Sequence, residues 1–207
     1  MKLFHAFIAL LFVTATAGAQ SKTGNVEANF NKLLHTAGMT FKMPTGAVKA
    51  PIIKNKQLPY QYAVKYPSRG IEIRYAILPK AGITAKPTKT PLNGTSRTLV
   101  NDPFDNLSMD VATKVAGGVP DPKMQIGGFD PAEAKKQFGA DKATFWMINI
   151  KNNSFANGYK FCNMVAMHKD NGANAYVFYL ANSLQDIMKA FKEIGPYNIY
   201  YNLKYKQ

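Results

Sequence analysis

The side chains best suited to chemistry are few and widely spaced in this 207-residue chain. Beyond His5 there are two histidines, His35 and His168, and a single cysteine, Cys162. A zinc site draws three or four ligands from close groups, and neither HExxH nor CxxC spacing occurs. The GxSxG elbow of an α/β-hydrolase is absent as well. Cys162 and His168 lie six residues apart on one predicted strand, which puts them about 20 Å apart. No hydrogen bond spans that distance, so this histidine does not activate the thiol. Cys162 sits among apolar neighbours and reads as a buried, inert thiol that has no internal disulfide partner. Twelve Asp and Glu residues leave a catalytic carboxylate pair open as an alternative. Several have structural roles by position: Asp130 and Asp186 at helix starts, Asp170 in a turn and Glu72 on a strand face. The glycine pairs 117–118 and 127–128 lack a strand–GxGxxG–helix setting and read as turns. No residue is therefore nominated as catalytic, metal-ligating or cofactor-binding, and no cofactor is expected.

Charge is the more prominent feature. Lys and Arg number 26 against 12 acids, a formal net charge of +14. Residues 1–19 read as a secretory signal peptide: Lys2, an apolar run from Leu3 to Ala15, and Ala17-Gly18-Ala19 ahead of Gln20. Loss of Lys2 with that leader lowers the charge from +14 to +13. A periplasmic or secreted protein of this charge meets anionic lipid headgroups, cell-wall polymers, acidic glycans or an acidic protein partner, with peripheral membrane contact among the options. Export argues against nucleic acid. The lysines are scattered rather than run together, so the alternative is a merely solvated basic surface. Residues 45–59 and 79–102 read as loops, and they nominate Lys54, Lys56, Arg69 (in the turn between them), Lys86, Lys89 and Arg97 as binding residues.

The elements that must position these groups form one domain, residues 20–207. Polar residues 20–24 read as a frayed start. Val26, Phe30, Leu33, Leu34 and Ala37 give a short helix over 25–37, ended by Gly38. MTFKM (39–43) alternates as a strand. Strands 61–66 and 71–78 flank Pro67-Ser68-Arg69-Gly70 as a hairpin. In the second strand Ile71, Ile73, Tyr75 and Ile77 take a core face, and Glu72 and Arg74 take a face expected to be partly wet, as a weak surface pair. Helices are predicted over 104–115 and from Pro131 to Phe138, with a loop over 119–128 between them. The densest apolar stretch, 142–181, has three strand-like runs punctuated by Asn, Gly, Ser and Asp, a three-strand meander covered on both faces. Ser183 opens a last helix whose stripe is Leu184, Ile187, Met188, Phe191 and Ile194. Residues 197–205 read as a final strand. Its tyrosines, Tyr197, Tyr200, Tyr201 and Tyr205, fit a half-buried core strand or, alternatively, a surface for sugar rings or a partner.

The fold class read from this order is α+β: a single antiparallel sheet of about six or seven strands flanked by helices. The stretches TFKMPTG, YAVKYPSRGIEIRYAIL and NAYVFYLANSLQDIMKAF resemble the PsbP-like family and the Ran-binding nuclear-import factor that shares its fold. That resemblance implies an antiparallel sheet flanked by helices, and an accessory or binding role rather than an enzymatic one. The leading expectation is a non-catalytic exported accessory or binding protein engaging an anionic envelope surface or protein partner through basic loops. The alternatives are an envelope hydrolase using carboxylates or His168 in a cleft, and a small-ligand carrier with an apolar pocket between meander and helices.

Overall fold

The computed structural model describes residues 17–78, 102–119, 123–151, 153–195 and 199–207, with side chains from Asn25 onward. Its elements run α1 (Ala17–Thr36), β1 (Met39–Phe41), β2 (Val48–Lys49), β3 (Tyr62–Tyr66), β4 (Ile71–Leu78), α2 (Pro103–Ala116), β5 (Gln125–Gly128), α3 (Pro131–Phe138), β6 (Lys142–Asn149), β7 (Phe161–His168), β8 (Asn174–Ala181), α4 (Leu184–Ile194) and β9 (Leu203–Tyr205). Seven strands make one antiparallel sheet in the order β2-β3-β4-β8-β7-β6-β5, and β1 pairs with β9 in a separate ribbon. The architecture is α+β, with helices on both faces of the main sheet. None of the described helices is long and apolar enough to cross a membrane.

The meander forms β6, β7 and β8 in sequence order, and the pleat sends alternate side chains to two separate cores. Phe161, Val165, Met167, Val177 and Tyr179 join Phe30 and Leu34 of α1, Phe138 of α3 and Ile187 of α4 on the first face. Cys162, Met164, Tyr176 and Phe178 join Trp146 and Ile148 of β6, Val111 and Val115 of α2, and Phe155 on the second. Local chemistry fixes the helix ends. Asp102 accepts from the Phe104 N–H at 2.8 Å with Pro103 next, and Asp130 accepts from the Ala132 N–H at 2.8 Å with Pro131 next. Gly139 closes α3 at φ +63°, where a Cβ would lie 2.6 Å from the Tyr205 carbonyl oxygen, so both conformation and space demand glycine.

Several expectations are corrected. Helix α1 starts at Ala17, so residues 20–24 are helical rather than frayed. The 45–59 loop contains β2, and the 119–128 loop contains β5; both are edge strands that a short pairing partner suffices to hold. The final strand shrinks to Leu203–Tyr205, because Tyr200 and Tyr201 sit in a turn; Tyr197 lies outside the described residues. The largest correction is β4. Its second face is not wet: Glu72 is 6% exposed and Arg74 fully buried. Their pair, 2.6 Å from Nε to Oε1, lies under Phe155, whose carbonyl accepts from the Arg74 guanidinium. Tyr60 and Phe155 place their rings 4.8 and 4.9 Å from the guanidinium carbon. Loop 150–160 and its neighbour 50–60 thus roof a surface that alternation alone assigns to water.

Candidate functional site

Coverage of the first face is incomplete. Helix α4 packs on β8, β7 and β4, whereas α3 packs on β6 and β9. Between them a strip of β6 and β7 remains open as a cleft of about 320 Å³, lined by Phe129, Phe145, Met147, Asn163, Met188, Phe191, Tyr200 and Tyr201. The sequence builds it locally. Phe145 and Met147 are first-face residues of β6, beyond the buried Ala143, and Asn163 lies opposite Met147 on β7. Gly127 of β5 pairs with Phe145, and a Cβ there would approach the ring to 2.2 Å; the glycine lets the ring lie across the edge strand. Met188 projects from α4 at 54% exposure, the most exposed large apolar side chain of that helix.

The walls are held by ring contacts. Phe129 meets Phe145 at 5.9 Å and 75°, Phe191 meets Tyr200 at 5.1 Å and 85°, and Tyr200 meets Tyr201 at 5.4 Å and 83°. These are edge-to-face pairs, favoured by the aromatic quadrupole. Behind them Tyr179 stacks on Tyr200 at 5.3 Å, and its hydroxyl donates to the carbonyls of Ile199 and Tyr200 at 3.3 and 3.1 Å. The 199–201 turn is therefore anchored to the sheet. Burial pushes the Tyr200 phenol up, so it stays protonated and the lining is uncharged at neutral pH. The one amide is Asn163: it is 5% exposed, and its Oδ1 meets no hydrogen-bond partner among the described residues. A buried polar atom left so is uncommon and calls for an explanation.

A second cluster gathers groups that could be read as catalytic. Lys142 Nζ lies 2.7 Å from Asp102 and 2.6 Å from Asp105. His168, opposite Lys142 across the strand pair, has Nδ1 2.7 Å from Asn174 Oδ1 and Nε2 3.3 Å from Asp170, and its ring lies 5.2 Å from Phe104. Burial works against the Asp102 carboxylate, yet the Lys142 hydrogen bond, the Phe104 N–H and the Lys142 charge together hold it below the usual carboxylate range. Lys142, Asp102 and Asp105 fix the start of α2 to the sheet, and the His168 ring lies against Phe104 of the same helix. Cys162 is sealed in the second core, and burial pushes its thiol well up, which opposes the thiolate. His35 is exposed on α1. Among the described residues no three His, Cys, Asp or Glu side chains gather to hold a metal ion.

The nominated basic residues are dispersed. Lys54 and Lys56 are exposed on the loop that covers the second face. Arg69 pairs with Glu193 of α4, which packs on the first. Lys86, Lys89 and Arg97 lie outside the described residues. Sequence reasoning passed over Asn163 and Phe129; the signal available was a lone amide within the apolar face Phe161, Val165, Met167. No family model, curated protein or solved structure matches the chain.

Proposed function

We propose that the protein is a non-catalytic binding protein that carries a small apolar ligand in the aromatic cleft of the first face. The observation that carries this reading is the strip of β6 and β7 left open among the described residues, walled by rings rather than by charged groups. Ligand sites are concave, mostly apolar and supplied with a few placed polar groups, and this cleft has that make-up. A binding rather than a chemical role is supported by the engagement of His168, Asp102, Asp105 and Lys142 in structural contacts, and by the sealed thiol. The accessory role implied by the PsbP-like resemblance belongs to the same proposal.

Export and a cationic surface complete it. After loss of residues 1–19 the protein works in the envelope or outside it, and its net positive charge draws it to an anionic envelope surface or acidic partner. Lys54 and Lys56 are exposed for that contact. The test of the cleft is Phe191→Ser against an environment-sensitive naphthalene dye. The wild-type protein is expected to enhance dye emission saturably, and the variant to lose most of it; equal enhancement by both overturns the reading.

A further inference from the structure

We propose that the cleft selects a flat aromatic ring bearing one hydroxyl or N–H group, and that Asn163 is the residue that reads that group. The inference rests on the carrier reading and names its ligand class.

Three features of the cleft set the chemistry. Its volume of about 320 Å³ stands at the low end for small-molecule sites, so the occupant is one or two fused rings rather than a long chain. Its walls are ring faces and edges set at steep angles, Phe129 to Phe145 at 75° and Phe191 to Tyr200 at 85°. Such walls favour a guest ring that adds another edge-to-face contact, while the thioethers of Met147 and Met188 adapt to its outline. The polar requirement comes from Asn163. Its side chain is nineteen-twentieths buried, and its Oδ1 lacks a partner among the described residues. It lines the cleft, opposite Met147 and Tyr179 on the two flanking strands. Oδ1 itself is buried, and rotation about the broad terminal amide torsion brings the acceptor to the cleft. A phenolic hydroxyl donates to that oxygen, and it can accept from the amide nitrogen in return. A hydrocarbon ring of the same size leaves the acceptor unsatisfied, and a site built around a buried polar group rejects such an analogue. No lining residue carries a charge at neutral pH, so an ionised group on the ligand stays at the mouth. Lys192 is exposed one turn beyond Met188 on α4.

The full chain, labelled at methionine methyls, is titrated with 2-naphthol, naphthalene and decanoate, and Met147 and Met188 report occupancy. The expected result is that 2-naphthol shifts both methyls and binds about tenfold tighter than naphthalene, the size of one satisfied buried acceptor. In Asn163→Leu naphthalene still binds and the preference vanishes; Asn163→Thr, which keeps a smaller polar group, retains part of it. Equal binding of the two rings in the wild type, or a preference that survives Asn163→Leu, overturns the role of Asn163 and leaves the carrier reading standing. Decanoate binding as tightly as 2-naphthol overturns the aromatic class. Failure of all three compounds to move Met147 and Met188 overturns the carrier reading itself. So does a self-associated form, seen in sedimentation, that Phe191→Ser disperses, because a second copy then fills the cleft.

Discussion

The two faces of the sheet share strands and differ in finish. Strand β6 sends Trp146 and Ile148 to the second face, where both are wholly buried, and Phe145 and Met147 to the first, where both are partly exposed. Strand β7 sends Cys162 and Met164 to the second face and Asn163, itself buried, to the floor of the cleft on the first. The second face is closed by α2 and by two loops latched together, Ser154 Oγ donating to Gln57 Oε1 at 2.5 Å. It even closes over an ion pair. The first face has three helices and a ribbon, yet among the described residues its best aromatic surface is left uncovered. A protein that can roof Arg74 has the means to roof Phe145. Leaving the latter open therefore points to use, whereas the sealed pair points to structure. Exposed apolar surface rimmed by polar groups commonly marks a binding site.

The comparison is broken most severely on the sealed side. Glu72→Ala strands a buried guanidinium, and chemical denaturation is expected to show a loss of about 3–5 kcal/mol. Replacing both residues, Glu72→Leu with Arg74→Met, should recover most of that loss, since an apolar pair needs no compensation there. A double variant as unstable as the single one would mean that the pair holds the roof in some way other than by charge balance. Phe155→Ala removes a fully buried ring from the same roof and is expected to cost about 3–5 kcal/mol. Truncation of the partly exposed Met147 on the open side should cost clearly less, about 1–2 kcal/mol, because part of its area is already in water. Comparable losses at Phe155 and Met147 would erase the distinction between the faces.

A milder effect concerns pH. The folded carboxyl of Asp102 lies below its ordinary value, so its contribution is full above the unfolded pKa, about 4, and is lost as pH falls through the lowered folded value. Thermal melts between pH 7 and pH 2 should thus show a steeper acid loss for the wild type than for Asp102→Asn. Parallel profiles would remove the Lys142 clamp from the explanation of how α2 is held. The smallest effect is on the open side: Asn163→Leu is expected to leave stability unchanged or raise it by up to about 1 kcal/mol, since it removes a buried carbonyl oxygen that has no partner among the described residues. A clear loss would mean that Asn163 has a partner in the folded protein.

How much of this was legible in the sequence follows from the same contrast. The meander could be read because Asp170-Asn171-Gly172 and the polar residues 151–158 interrupt three apolar runs. The starts of α2, α3 and α4 differ in how plainly they show: Pro131 after Asp130 and Asp186 after Ser183 are local signals, and Asp102 before Pro103 is another, although Asp102 reads as the end of a loop. Arg74 was misread because alternation tells which residues share a face but not what lies over it; its cover comes from Phe155, 81 positions away. Strand β5 was missed because Gly127-Gly128 resembles a turn, and only the Phe145 ring explains the glycine. The cleft was invisible for a related reason. Its walls come from the segment before α3, from β6 and β7, from α4 and from the turn after it, and no local spacing joins them.

Mapping amide and methyl shifts over the whole chain during titration with 2-naphthol tests the carrier function most directly. The expected result is a saturable set of changes confined to Phe129, Phe145, Met147, Asn163, Met188, Phe191 and the 199–201 turn, with the indole N–H of Trp146 on the sealed face unmoved. Changes centred on α2 and Trp146, or none at any concentration, would contradict it.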